Sequence, residues 1–476
     1  MPDIRYVCLS DLHLGADNSL LTNLRPASTD VDITRPSPVL VQLVECLKTL
    51  ISQNEDKRKP TLVLNGDVLE LALATDNIAA MAFERFIELI LPQNGDALVA
   101  KEILFLPGNH DHHLWESARE TQYLKFISGK VPGTFLDIPW HTTKMFNPAP
   151  PIVGSFLTEI IRRYPHLQDV SAVTVYPNLG LLSLDEHRCV IFSHGHLTES
   201  IYRLMSTLRT MVFPVRAAPS APWDFEAENF AWIDFLWSAL GRSGDVGKDM
   251  ELVYDTLQSK KQLQRLISNL AAGIVKDYGK PCWPRWIQSR ILGFVLRMTL
   301  GRLGGMERSD SSGPLSQEGE AGLQEYLEKL LRGQMLIEHD QTIPPEVTFV
   351  FGHTHKPFQK DMHFYGYPDW TSVYNSGGWV VDTVNRLPVH GGAVILIDEN
   401  LNVASLRMYN EVLRDCGYPV HVEAASHDGV PATVFCQRLQ SLIDPLKEPW
   451  KTFSETVACS VPVYAQNLRA KIEKAG

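Results

Sequence analysis

The chain has 476 residues, more than one simple domain needs at the usual ~100–200 residues per domain. Hydrophobic residues make up 44% and charged residues 21%, values of an ordinary soluble globular protein with enough length for a large core. The net charge of −11 argues against binding duplex nucleic acid over the whole surface, because phosphate neutralisation needs clustered Lys and Arg.

The first 110 residues repeat one pattern, a short apolar strand followed by a helix. IRYVCLS (Ile4–Ser10) predicts a strand and leads into DLHLG; VLVQLVECLKTLISQ (Val39–Gln53) has helical spacing. TLVLNGD (Thr61–Asp67), NIAAMAFERFIELIL (Asn77–Leu91) and EILFLPGNHD (Glu102–Asp111) repeat the alternation. Strands alternating with helices predict a layered α/β fold, whose ligands sit beyond the carboxyl ends of the strands. SAVTVYPNLGLLSLDEHRCVIFSHGH (Ser171–His196) reads as a strand, an Asn-Leu-Gly turn and two more strands. TFVFGHTH (Thr348–His355), SVYNSGGWVVD (Ser372–Asp382) and AVILIDENLNVASLRMYN (Ala393–Asn410) complete the strand set, the last with a hairpin at Asp398-Glu399-Asn400.

Between His196 and Thr348 helical spacing takes over, in IYRLMSTLRTMV, FAWIDFLWSAL, KKQLQRLISNLAAGIV and WIQSRILGFVLRMTLGRL. SDSSGPLSQEGEAG (Ser309–Gly322) has linker composition. The expected organisation is a core from 1–197 and 347–410, interrupted by a helical insertion or lid at 198–346 and followed by a wrapping extension at 411–476. From Lys260 to Arg308 the insertion carries ten Lys or Arg against Asp277 and Glu307, a local charge of +8. Arg290 and Arg297, seven apart, share a helix face and are candidates to meet an anionic substrate. A basic amphipathic helix also suits peripheral membrane contact.

Seven scattered cysteines without CxxC spacing suit a reducing compartment. The N-terminus carries no signal-peptide pattern and no run of about 18 uncharged apolar residues occurs, so a cytoplasmic location is expected.

Five strand ends carry polar residues of one kind: Asp11-Leu12-His13, Gly66-Asp67, Gly108-Asn109-His110-Asp111, Ser193-His194-Gly195-His196 and Gly352-His353-Thr354-His355. Strand ends of an α/β sheet converge on one edge, which would gather the candidate metal ligands, two Asp (Asp11, Asp67), one Asn (Asn109) and four His (His13, His194, His353, His355). On an extended chain, a spacing of two puts Asp11 with His13, and His353 with His355, on one face. Carboxylate and imidazole ligands suit Mn²⁺, Fe or Zn²⁺, and the absence of thiolate argues against a structural zinc. A shared carboxylate can bridge two ions roughly 3.5–4 Å apart that polarise a phosphate ester and lower the pKa of an attacking water. His110, beside Asn109, can protonate the leaving oxygen or steady the phosphoryl charge, with Asp111 holding its imidazole. His112 and His113 read as solvent-facing or supporting residues. His196 is read as reaching the substrate or as a structural hydrogen-bonder, Glu70 as a supporting or helix-start carboxylate, and Asn375-Ser376-Gly377-Gly378 as a structural turn.

In this order the blocks DLH, GDVLE, GNHD, HGH and GHTH resemble the calcineurin-like metallophosphoesterase superfamily. The match covers Ile4–His113, about Ser171–His196 and Thr348–Val381. The resemblance implies a β-sandwich flanked by helices and two divalent metal ions, Mn²⁺ first among them. It assigns Asp11, His13 and His355 to one metal, Asn109, His194 and His353 to the other, Asp67 as the bridge and His110 as the catalytic histidine. GDVLE, with Glu70, departs from the common GDxxD.

The implied activity is hydrolysis of a phosphodiester or pyrophosphate, on a phosphorylated small molecule or lipid-linked substrate. GDxxE and a basic helical lid between the HG and GHTH blocks are similar to the UDP-diacylglucosamine pyrophosphate hydrolases. Their GNHD counterpart has Arg in place of His, and their insertion is much shorter. An SbcD-like nuclease shares SDxHLG and GNHD. A non-catalytic scaffold of the same fold is the third reading.

Overall fold

A computed structural model describes residues 2–239 and 313–475, except 27, 138–139, 147–150, 216–217, 385, 412–416 and 428–430, together with 268, 275, 284, 286 and 290. Thirteen strands are among the described elements. They are β1 (Ile4–Leu9), β2 (Thr61–Asn65), β3 (Glu102–Leu106), β4 (Ile152–Val153), β5 (Ser171–Thr174), β6 (Asn178–Leu182), β7 (Arg188–Ser193), β8 (Glu346–Phe351), β9 (Phe358–Met362), β10 (Thr371–Asn375), β11 (Gly391–Asp398), β12 (Val403–Asn410) and β13 (His421–Glu423). They form an eight-stranded sheet, β13-β12-β11-β1-β2-β3-β5-β4, and a five-stranded sheet, β6-β7-β8-β10-β9. β1, β2, β3 and β5 run parallel, as do β7, β8 and β10. The carboxyl ends of β1, β2, β3, β7 and β8 carry the polar blocks.

Period-two alternation builds the layers. Cys8, Val63, Leu106 and Ile395 of the first sheet share one buried cluster with Val190, Phe192, Val350 and Tyr374 of the second, so the sheets pack face to face. The alternate residues point outward. Val7, Leu9, Leu62 and Leu64 meet helices α1 (Pro38–Ile51), α2 (Asp76–Ile90) and α4 (Ser155–Arg162), whereas Cys189, Ile191, Val347 and Phe349 meet helices of the insertion. The result is a layered α/β fold with two mixed sheets between helices. α1 begins where it does because Ser37 Oγ accepts from Leu40 N at 3.0 Å and Pro38 occupies the first helical position.

Several local expectations change. Asn178-Leu179-Gly180 is not a turn but the start of β6, paired with β7 in the register Asn178↔Ser193; the reversal falls at Ser183–His187, where Asp185 Oδ1 takes the hydroxyl of Ser183. The passage read as a linker is structured from Gly313 on. Ser316 caps the helix Gln317–Glu325, Glu318 and Glu320 sit favourably in its first turn, and the chain continues helically to Glu338. Leu323, Tyr326, Leu327, Leu330, Leu331 and Met335 bury on the second sheet, so this part of the insertion is a layer of the core. Beyond Glu411 the stretch expected as a wrapping extension has regular structure of its own. It forms β13, a helix at Val434–Leu442 and a 26-residue helix at Trp450–Ala475, whose Trp450, Phe453, Val457 and Val461 pack with α1 against the outer face of the first sheet. Helix α3 (His113–Ser128) leaves the third block, and the insertion supplies α5 (Leu204–Val212) and α6 (Pro222–Asp234). The helices expected from KKQLQRLISNLAAGIV and WIQSRILGFVLRMTLGRL lie largely outside the described residues. No described helix is long and apolar enough to cross a membrane.

Candidate metal centre

The first, second and fifth blocks leave their strands by sharp bends. Asp11, His13, Asp67, His353 and His355 have φ of 53°, 44°, 50°, 68° and 58°. The left-handed region is uncommon for side chains other than glycine and concentrates at functional sites. Contrary to the expectation from extended spacing, bent backbone and not a pleat aims Asp11 with His13 and His353 with His355. The bends are held across turns, with Asp11 N donating to Gly66 O at 2.9 Å, His13 N to Asp67 O at 2.9 Å and His353 N to Asp11 Oδ1 at 2.9 Å. The turns approach so closely that a Cβ on Gly352 would lie 2.1 Å from Asp11 Oδ2, and one on Gly108 2.3 Å from Asp67 Oδ1.

All seven expected ligands are brought together and are 2% exposed or less. Asp11, His13 and His355 form one group, and Asp67, His194 and His353 a second, each with its ligand atoms within 4.8 Å of one another. Asn109 Oδ1 joins the second at 3.1 Å from His194 Nε2. Asp67 Oδ2 faces both groups, 3.6 Å from His13 Nε2 and 3.3 Å from His194 Nε2.

The donor chemistry of these contacts fits bound cations. His13 Nδ1 meets Glu70 Oε2 at 2.8 Å, and His355 Nδ1 meets Asp382 Oδ2. A carboxylate on Nδ1 fixes the proton there and leaves the lone pair on Nε2. In neutral rings so held, two Nε2 lone pairs face each other at 3.3 Å, with Asp11 Oδ1 3.3 Å from the second. His194 repeats the pattern. Its Nδ1 is 3.2 Å from Asn65 O, which turns Nε2 toward the oxygens of Asn109 and Asp67. Buried acceptors crowded on acceptors are costly unless a cation lies between them.

Electrostatics say the same. Burial alone would raise the Asp67 carboxyl, but His194, His110 and His13 hold it well below the usual carboxylate range. Burial likewise opposes ionisation of Asp11, which His355 and His194 nevertheless keep lowered. Burial disfavours a second proton on His194, yet Asp67 and Asp11 raise that imidazole to about 9, so a metal ion would displace a proton there.

The GNHD turn is arranged differently from the expectation. Asp111 does not orient His110. Its oxygens accept backbone N–H groups from Gly108 (2.6 Å), Val68 (2.8 Å), Asp67 (3.3 Å) and Leu69 (3.3 Å), stitching the second and third blocks together. Burial and the neighbouring Asp67 charge push its carboxyl up to about 7. Glu70 is the orienter: Oε1 lies 2.8 Å from His110 Nδ1 while Oε2 braces His13. His112 is not solvent-facing but fully buried, with Nε2 2.7 Å from Glu226 Oε1; His113 is partly exposed and pairs with Asp234 at 3.1 Å. His196 is buried against the Tyr176 hydroxyl at 3.2 Å. Asn375 is structural, donating to Gly352 O and Thr354 Oγ1 and accepting from Gly377 N.

Sequence reading missed Asp382 behind His355 and Glu199, whose Oε1 is 3.3 Å from His353 Nε2. Neither stands in a block, so no local signal marks it. Arg290 is exposed, its guanidinium 5.8 Å from the centroid of the Trp286 ring, and Arg297 lies outside the described residues.

No protein-family model matches the chain, and no curated protein matches it in sequence. The family likeness therefore rests on the five short blocks and on the geometry that they form.

Proposed function

We propose that this chain is a metal-dependent phosphoesterase of the calcineurin-like metallophosphoesterase type, which hydrolyses a phosphodiester or pyrophosphate. The observation that carries the reading is the double group of buried ligands with one Asp67 oxygen facing both halves. Two divalent cations, Mn²⁺ being the first choice, would supply Lewis acidity toward a phosphoryl oxygen and an activated water. Asp11, His13 and His355 would hold one, Asn109, His194 and His353 the other, and Asp67 both. Glu70 fixes the Nδ1 proton of His110, so this ring works through Nε2, where it can donate to a developing leaving oxygen or to the phosphoryl group. The braces on His13 and His355 hold ligands in one tautomer, which supports a working centre over a non-catalytic scaffold. The substrate class proposed is a phosphorylated small molecule or lipid-linked pyrophosphate, with Arg290 and Arg297 as candidate contacts and the basic insertion as a candidate membrane-surface contact.

The test is hydrolysis of bis-p-nitrophenyl phosphate and p-nitrophenyl phosphate by metal-stripped protein, re-supplied separately with Mn²⁺, Mg²⁺, Zn²⁺ and Fe²⁺. Mn²⁺-restored cleavage that favours the diester and disappears in Asp67→Asn supports the reading. No cleavage with any ion, in protein that also retains no metal, refutes it.

A further inference from the structure

Glu226 sits on α6 of the insertion, yet it is fully buried against the core. Its Oε1 accepts from His112 Nε2 at 2.7 Å. Its Oε2 accepts the Tyr176 hydroxyl proton at 2.9 Å. That hydroxyl, having given its one proton away, must accept from His196 Nε2 at 3.2 Å. Every donor in the chain thus ends on one carboxylate.

The two arms lead to two turns of the metal centre. His112 is three residues beyond Asn109, and His196 two beyond His194. Asn109 and His194 touch each other at 3.1 Å. The path closes on itself: Asn109, His112, Glu226, Tyr176, His196, His194 and back to Asn109. It runs through two ligands of one metal group, Asn109 and His194, and touches none of the other, since His13 and His355 are braced by Glu70 and Asp382 instead. The end of α6 and the helical turn after it hold the same turn. His113 Nδ1 pairs with Asp234 at 3.1 Å, and His113 N donates to Ser238 Oγ at 2.9 Å.

We propose that Glu226 is a positioning residue that sets the spacing of Asn109 and His194, and through them the affinity of one of the two metal subsites. The insertion is then part of the metal centre's frame, and its seating on the core and metal occupancy of that subsite are one equilibrium. This inference rests on the two-metal reading above. A cation held by Glu226 itself is disfavoured. His112 and Glu116 lie within 4.8 Å of it, but Arg119 Nη2 already meets Glu116 at 2.5 Å, so positive charge is present.

The test counts Mn²⁺ bound to the full chain, stripped of metal and titrated while free Mn²⁺ is followed by electron paramagnetic resonance. Wild type is expected to bind two ions. Glu226→Gln removes the charge that holds both arms, and Tyr176→Phe cuts only the arm to His196. Glu226→Gln is expected to keep one ion at wild-type affinity and to bind the other at least ~10-fold more weakly, the size typical of losing a ligand's support. Tyr176→Phe should show a smaller loss at the same ion. Adding His194→Ala to Glu226→Gln should then cost no further tight ion, whereas adding His13→Ala should. Wild type with fewer than two ions overturns the two-metal reading and this inference with it. Two ions in wild type and two at unchanged affinity in both variants overturn the inference alone. So does an equal weakening of both ions in Glu226→Gln with Tyr176→Phe unchanged, the signature of a general packing role.

Discussion

Glu70 holds His110 by its Nδ1 at 2.8 Å, and with its other oxygen it holds His13 at the same distance. One carboxylate therefore sets the tautomer of an expected ligand and of the expected catalytic histidine together. The neighbouring Asp111, placed beside His110 in sequence, serves backbone amides instead. Glu70→Gln should lower turnover by ~10–100-fold and weaken metal binding by a similar factor, because support of a ligand is worth that much. Asp111→Asn should act first on stability, by ~1–3 kcal/mol for buried N–H groups left short of an acceptor. Kinetics and denaturant unfolding of the two variants check the division of labour; equal kinetic defects with equal stability would contradict it.

His110→Asn should reduce turnover by ~10²–10⁴ while metal content stays normal. Metal analysis alongside steady-state rates separates a lost proton carrier from a lost ligand. Wild-type turnover in this variant would remove His110 from the mechanism.

Metal removal should destabilise the fold. Ligands that bind only the native state add RT ln(1 + [L]/Kd), ~2.7 kcal/mol at 100 times Kd. Chelation should lower the thermal midpoint and Mn²⁺ restore it, whereas Asp67→Asn should show little response to either. A midpoint indifferent to metal in wild type would speak against buried, occupied ligand groups.

Burial alone would lower the His112 imidazole, but Glu226, Asp234 and Glu116 raise it to about 10 from the ordinary 6.5. A raised folded-state value stabilises fully below the unfolded value. That stability is lost as pH rises from about 6.5 toward 10. The thermal midpoint of wild type should fall over this window, and that of Glu226→Gln should fall less steeply because its His112 lacks the main counter-charge. Parallel slopes would show that His112 does not titrate in this way.

Reversing Arg290 and Arg297 to Glu should raise KM for a bulky anionic substrate and leave a small nitrophenyl ester almost untouched. Equal effects on both substrates would point to a folding defect.

What was legible in the chain is local and periodic. Short apolar runs marked β1, β2, β3, β7 and β8, and 3–4 spacing marked α1 and α2, because each pattern follows from which faces of the element are buried. The blocks stood out locally too, as polar residues at apolar strand ends. The helix at Trp450–Ala475 had its 3–4 spacing too, but Pro462 and the Pro- and Gly-containing stretch before it hid the pattern. Ser316 as a cap was likewise masked by the linker-like composition around it. Partnership was not legible. Glu70 rather than Asp111 orients His110, and Asp382, Glu199 and Glu226 reach the site from outside every block. Each depends on which turns fold against which, and a hydrogen bond is chosen by distance in space. By itself the sequence determined which residue types stand at which strand ends. Only the tertiary structure decided their bent backbone, their partners and the closure of one metal group by a carboxylate from the insertion, because those require two sheets and α6 to meet at a single edge.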